Sequence, residues 1–231
     1  MRKNLQHLGY SLIGRNYFDQ RSRTRIPEHK IELLSGLLTA IAQHDGGLLM
    51  VIDTTTKFIR SDTVLALLGE IRKKSGAQWL DEAKRQLCGS IVMTNYNNRT
   101  YKIDDLCTGP DKTPETAKFQ KSGRMMTLME YYKEFHGLTI TQPRKPLIEC
   151  LPSARDRRAG RMAKILLVPE LCQMTGLTDD VRKDFMIMKK VGDVSRLPPT
   201  DPVKNLNDFI VKLNANENVK KEMKEWVTSP R

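Results

Sequence analysis

Between Ser61 and Leu106 the apolar pattern of this chain changes from a helical period to a strand period, which excludes an all-α or an all-β fold. Val64, Leu67, Leu68 and Ile71 share one helical face behind a Ser61-Asp62 cap. Trp79, Leu80, Ala83 and Leu87 continue the spacing until Gly89 supplies a stop. IVMTN and TYKIDDL then alternate as strands about Asn97-Asn98, residues that tolerate left-handed backbone, and together they predict a β-hairpin. The fold class is therefore α+β.

The same mixture continues along the chain. A short strand over 117–120 turns at Ser122-Gly123 toward Thr127-Leu-Met-Glu130, a capping-box pattern that predicts a short helix ending at Gly137. PLIECL and KILLVP predict two strands around a basic loop from Ser153 to Arg161. Pro169, Gly176 and Thr178-Asp179 divide the segment 169–190 into two helical pieces. Residues 1–60 read as short strands broken by charged turns, closer to connecting structure than to a domain. Beyond Leu197-Pro198-Pro199 the pattern is amphipathic helix, with Val203, Leu206, Ile210 and Leu213 on one stripe and Val219, Met223 and Trp226 on another. No segment repeats another.

Charge narrows the partners. Lys and Arg number 39 against 27 Asp and Glu, a net charge of +12 that favours a polyanion such as nucleic acid, although many intracellular domains are basic for other reasons. Cys88, Cys107, Cys150 and Cys172 lie too far apart for two of them to grip zinc from one loop. The opening MRKNLQHLGYSLIGRN lacks the apolar stretch of an export signal, so these thiols are read as reduced and intracellular. Apolar runs such as LLMVI are too short to span a bilayer, and no membrane is implied.

The candidate chemistry lies between Tyr96 and His136. There Arg99, Lys102, Lys121 and Lys133 are interleaved with Tyr96, Tyr101, Phe119, Tyr131 and Tyr132. Aromatic faces stack on unpaired bases at roughly 1–3 kcal/mol each, while cations and phenol hydroxyls hold phosphate oxygens. The same aromatics suit the core of a small β-barrel, and Tyr132 and Phe135 fit either role. Tyr132 and His136 lie one turn apart on one helix face and Tyr131 and Phe135 on another, so the helix cannot bury all four alike. At the helix end His136 serves equally as a phosphate donor or as a solvated cap that the dipole favours. No nucleophile with a base, metal-ligand cluster or carboxylate group marks a hydrolase; Asp104-Asp105 and Asp179-Asp180 are adjacent pairs suited to surface or cap positions. Seven Lys or Arg between Arg144 and Lys164 face Glu149 and Asp156, which suits RNA backbone or a solvated loop.

LGYSLIGRNYF, TNYNNRTYKIDDL, MEYYKEFHGLTI, LVPELCQMTGLTDDVRKDFMIMK and SRLPPT together resemble the Piwi branch of the Argonaute family, nearly from end to end. The resemblance implies a PAZ domain over 60–192, a linker over 1–59 before it and the start of another over 193–231. It implies a small OB-like or SH3-like β-barrel with an inserted β-hairpin and helix, roughly Lys102 to Gly137, flanked by linker strands and C-terminal helices. The cleft between barrel and insertion would take the 3′ end of a single-stranded small guide RNA. By position Tyr101, Tyr131 and His136 match phosphate-holding residues, Arg99 and Lys102 nearby basic ones, and Phe119 the aromatic at the terminal nucleotide; Tyr132 stands beside them. His136 is Tyr in many Piwi sequences, and Met93 stands where other Argonautes carry a phosphate-contacting histidine. Piwi guides end in a 2′-O-methyl ribose, for which Pro169 and Met188 are the candidate pocket walls, although a Met at helical spacing also suits ordinary core. The slicing site lies in another domain, so the resemblance implies an RNA-binding, non-cleaving piece of a longer chain. It implies no cofactor or metal and a monomer in the cytoplasm or nucleus. The alternative reading is a structural spacer that contacts protein through its terminal helices.

Overall fold

The computed structural model describes residues 2–45, 47–121, 123–160, 162–177, 179–195 and 200–228. Ser122, Arg161, Thr178 and the Leu197-Pro198-Pro199 break lie outside the described residues, as do the side chains of Val203, Met223 and Trp226. In chain order the elements are α1 (Arg2–His7), β1 (Tyr10–Ile13), β2 (Asn16–Ile26), β3 (Ile31–His44), β4 (Gly47–Thr63), α2 (Val64–Ser75), α3 (Trp79–Leu87), β5 (Ile91–Thr94), β6 (Thr100–Lys102) and β7 (Asp105–Cys107). They continue with β8 (Lys118–Lys121), β9 (Arg124–Thr127), α4 (Leu128–His136), β10 (Leu147–Cys150), α5 (Ala154–Arg158), β11 (Ile165–Leu167), β12 (Cys172–Thr175), α6 (Asp179–Lys183), α7 (Phe185–Ser195), α8 (Thr200–Ala215) and α9 (Glu217–Thr228). Two compact units divide them, one over 60–175 and one formed by 1–59 with 176–231.

The second of these units is built on the antiparallel ladder β1-β2-β3-β4. Its strands are long where the sequence predicted short ones, because turn-forming polar residues inside β2 are absorbed by a register shift between Phe18 and Arg23 rather than ending the strand. Gly36 fixes the crossing: a Cβ there would meet the Phe18 ring at 2.5 Å and Tyr17 O at 2.6 Å. Glu32 is buried and held by Arg23 at 3.0 Å and Arg25 at 2.9 Å. Leu5 and Leu8 of α1, Phe209 and Leu213 of α8 and Val219 of α9 bury their apolar faces with Leu37 in one cluster.

The unit over 60–175 carries the candidate residues. The antiparallel strands β12-β5-β6, which belong to the seven-stranded sheet, and the separate three-stranded sheet β11-β10-β7 enclose an aliphatic core that α2 and α3 cover. The cap of α2 is Thr63, whose hydroxyl accepts from Ala66 N, and not Ser61-Asp62 as the sequence suggested; Asp62 instead pairs with Arg60 at 2.6 Å. β5 and β6 form the predicted hairpin, with Asn98 at φ 55°. Cys172–Thr175 is a strand paired with β5, not the helix predicted there, since Pro169 opens only a single 3-10 turn over Pro169–Leu171. The expected short helix is α4, with the Thr127 and Glu130 capping box in place and Gly137 closing it at φ 64°.

The sheet β11-β10-β7 is buried on both faces, and its period of two sorts its residues. Leu106, Ile148, Cys150 and Leu167 point into the aliphatic core. Cys107, Leu147 and Leu166 point the other way, into a cluster formed with Ala117, Leu128, Tyr132, Ile140, Val168 and Leu171. That second cluster seats α4 and the hairpin β8-β9 on the barrel.

Candidate nucleic-acid interface

Four of the residues singled out from the sequence come together on α4 and β8. Phe119 meets Tyr131 edge-on, with ring centroids 5.4 Å apart. Tyr131 lies 5.3 Å from Tyr132, from Phe135 and from His136, and its hydroxyl is 3.3 Å from His136 Nε2. The helix sorts these side chains as its spacing requires. Tyr132 is only 2% exposed in the core, whereas Phe135, three positions on, is 49% exposed and tilts by 32° over the Tyr131 ring.

Tyr96 completes the group; the sequence placed it among the interleaved aromatics but not among the residues matched to the family's RNA site. Its ring centroid is 4.6 Å from His136 and 5.2 Å from Tyr132, and the two phenol oxygens are 3.3 Å apart. The turn after β5 puts it there. Buried Thr94 reaches Asn97 Oδ1 and Arg99 O with its hydroxyl, Asn98 N donates to Thr94 O at 3.0 Å, and Asn95 N donates to Leu171 O at 3.0 Å. The available signal was a tyrosine held inside a rigid Asx-type turn beside the predicted strand.

Burial sets the ionisation of these phenols. It pushes Tyr96 up to about 12, partly relieved by the bond to the Tyr132 hydroxyl, and it raises Tyr132 as well. Tyr101 is raised by burial while the neighbouring Arg99 guanidinium pulls it back. All three are neutral hydroxyls at physiological pH and can donate to an anionic oxygen without carrying repelling charge.

The other candidates make none of these ring contacts. Tyr101 packs against the aliphatic core from β6, opposite Val92, and Lys102, the next residue, is exposed on the other face of that strand. Arg99 is exposed at the end of the turn. Pro169 is buried at the start of the 3-10 turn, between Val168 and Leu171 of the Tyr132 cluster. Met93 is 1% exposed, so its position presents no polar atom to a ligand. Met188 is half-buried on α7, in the unit formed by 1–59 and 176–231, and not in the unit that holds the other eight residues. The acidic pair Asp104-Asp105 has structural partners, since Asp104 accepts from Leu151 N at 2.6 Å and Asp105 pairs with Lys84 at 2.7 Å, while the side chains of Asp179 and Asp180 lie outside the described residues. Among the described residues no group of three or more His, Cys, Asp or Glu is placed to hold a metal ion. No helix among them is long and apolar enough to cross a membrane.

The PAZ domain profile matches residues 65–198, which include the barrel strands, the hairpin and α4. The chain belongs to the PAZ domain family. With its flanks it lies on the Piwi branch of the Argonautes. It is 34% identical over 226 residues to the Piwi-like protein Siwi of Bombyx mori, covering 98% of this chain and 25% of that protein. It is 35% identical over 231 residues to Piwi-like protein 1 of Danio rerio, covering 97% and 26%. The crystal structure of Drosophila Piwi superposes with a TM-score of 0.65 at 28% identity, over 97% of this chain and 27% of that one. The PAZ chain thus spans about a quarter of the length of these relatives.

Proposed function

We propose that this PAZ domain holds the 3′ end of a single-stranded small guide RNA, of the kind loaded by Piwi proteins, and that it binds without cutting. The observation that carries the reading is the aromatic group on the capped helix. Phe119 and the half-exposed Phe135 offer faces for unpaired bases, and the Tyr131 hydroxyl and His136 imidazole lie together at the polar edge. Tyr96 and Tyr132 hold that edge from behind. Arg99, Tyr101 and Lys102 would serve phosphates further along the strand, where contacts position a chain without reading its bases.

The domain limits of 60–192, with linkers on either side, belong to the same proposal, as does a monomeric state within a longer intracellular Argonaute chain. Pro169 and Met188 stand in it as the residues that the resemblance offers for a 2′-O-methyl group, each within its own unit. Burying one methyl is worth about 0.8 kcal/mol, so a methylated terminus should bind severalfold tighter than an unmodified one. Titrating both RNAs measures this, and preference for the unmethylated end would remove the methyl pocket from the reading.

The decisive experiment compares a short RNA with a free 3′ hydroxyl against the same RNA with a 3′ phosphate. A closed terminal pocket should lose about tenfold or more in affinity to the added charge and bulk. Equal binding would leave only backbone electrostatics. Incubation with magnesium should leave the RNA intact.

A further inference from the structure

The unit over 60–175 also contains a cleft of about 690 Å³ that the residues of the aromatic group do not line. Its floor is one face of α2, where Leu65 and Leu68 stand beside the small residues Ala66 and Gly69. A side chain at Gly69 would meet nothing within 4 Å, so a ligand can approach the helix backbone there. Trp79 closes one end, with the Arg72 guanidinium carbon 5.7 Å from its ring centroid. The walls are the segments 108–113 and 141–146.

The charges in this cleft are unbalanced. Arg72, Lys112, Arg144 and Lys145 line it from three separate segments, against one carboxylate, Glu170. That carboxylate is occupied: Oε1 accepts the Thr141 hydroxyl at 2.7 Å, and Oε2 accepts Thr141 N at 3.0 Å and Gln142 N at 3.3 Å. Glu170 therefore pins the wall while keeping its own charge, so four cations face a single carboxylate. Arg144 makes an exposed ion pair with Glu115 at 3.4 Å, a contact of the kind that gives way to a better anion.

We propose that this cleft is a second site for single-stranded RNA, which lays its backbone along the Arg72, Lys112 and Lys145 cations beside the Trp79 ring. Cations spread over three segments match a ligand that carries a charge at every nucleotide. Arg72 braced on Trp79 presents a fixed fork for one phosphate, and the flat pair suits a base stacked against it. An acidic peptide would answer the charges but would leave the Arg72 and Trp79 stack and the shallow Ala66 and Gly69 floor without a use. The site is independent of the 3′-end reading, because it shares none of the aromatic residues.

The test uses the whole chain and a fluorescent single-stranded RNA of about ten nucleotides, within the span that one such domain covers. The RNA carries a 3′ phosphate in one arm and a 3′ hydroxyl in the other. Arg72→Ala with Lys145→Ala is compared with Arg157→Ala with Arg158→Ala, which removes the same charge from the segment before β11, and with Phe119→Ala. The cleft variant should weaken binding about tenfold in both arms, and the slope of log affinity against log salt should become shallower by about 0.7 for each phosphate no longer neutralised. The Arg157 and Arg158 variant should change little, and Phe119→Ala should act only on the hydroxyl arm. The cleft is refuted if its variant binds like wild type or if the Arg157 and Arg158 variant weakens binding as much. Equal displacement of the RNA by a polyglutamate peptide would also refute it, in favour of an acidic protein partner. If Phe119→Ala acts in neither arm while the cleft variant acts in both, the 3′-end reading fails and the cleft stands. Thermal midpoints of all three variants distinguish a binding defect from an unfolded protein. A new strand added to protein already saturated with guide distinguishes two strands from one: a second binding event assigns the cleft to a separate RNA, and its absence assigns it to the same RNA upstream of the end.

Discussion

The two faces of the sheet β11-β10-β7 are one residue apart in sequence and differ in nearly everything else. One face, with Leu106, Ile148, Cys150 and Leu167, meets the aliphatic side chains of α2 and α3. The other, with Cys107 and Leu147, meets Tyr132 and the aromatic group around it. Aliphatic packing carries no polar atom that a ligand might use, and its worth lies in area removed from water. Aromatic packing buries comparable area while leaving hydroxyls, an imidazole and ring faces at its edge. A strand of three residues thus separates a core built mostly of aliphatic side chains from one whose aromatic members leave polar groups at its edge. Stability and affinity should separate along the same line.

The strongest way to break the comparison is to cut into the aliphatic face. Ile148 is fully buried, and Ile148→Ala should cost about 2–5 kcal/mol of stability by reduced transfer energy and a residual cavity. Denaturant unfolding reads the loss, and RNA affinity per folded molecule should stay near wild type. A matching loss of affinity at concentrations where the variant is folded would mean that the faces are coupled.

The reciprocal change is Phe119→Ala. Phe119 is half-buried on a two-stranded hairpin and touches Tyr131 by its edge, so truncation should leave most of the fold's stability in place. Removing the platform for a stacked base should weaken binding of RNA with a free 3′ hydroxyl by about 1–3 kcal/mol. A large drop in the unfolding midpoint with unchanged affinity would place Phe119 with the core.

How legible each face was follows from how local its causes are. α3, the β5-β6 hairpin and α4 were readable because a stop glycine, an Asn97-Asn98 turn and a capping box act within a few residues. β12 was not, because the four residues from Cys172 carry no strand signal strong enough to compete with the apparent helix start at Pro169. Their conformation comes from pairing with β5, some eighty residues earlier in the chain. Long β2 to β4 were misjudged for a related reason, since a bulge lets polar residues continue a strand that their composition would end. At the site, spacing on α4 showed that its four rings could not share one environment, but only the fold shows Tyr132 inside and Phe135 outside. Tyr96 could be picked out as one of the interleaved aromatics, but its partners could not: they stand 36 and 40 positions away, and Thr94 and Asn97 bend the turn that brings it to them.

The finest test of the comparison is a pH dependence that belongs to the aromatic face alone. An exposed tyrosine ionises near pH 10, and burial pushes Tyr96 up to about 12. Below pH 10 both folded and unfolded chains keep this proton, and the full contribution of the buried phenol to stability is present. Between pH 10 and 12 the unfolded chain releases a proton that the folded chain retains, so stability falls as pH rises. Tyr96→Phe removes the group and should make that fall shallower, at the cost of leaving the Tyr132 hydroxyl without its partner, about 1 kcal/mol at neutral pH. Cys107 and Cys150 are also raised by burial, without help from Tyr96, and give both proteins a residual slope that cancels in the difference between their curves; Tyr132 is raised first by burial, which both proteins keep. Denaturant unfolding at pH 9, 10 and 11, values chosen around the ordinary phenol range, gives that difference. Ile148→Ala should displace the curve downward without altering its slope, because it removes no titrating group. Parallel curves for wild type and Tyr96→Phe would mean that the Tyr96 phenol is as accessible in the fold as in the unfolded chain, and the polar edge of the aromatic face would then lack the buried support that the pairing with Tyr132 gives it.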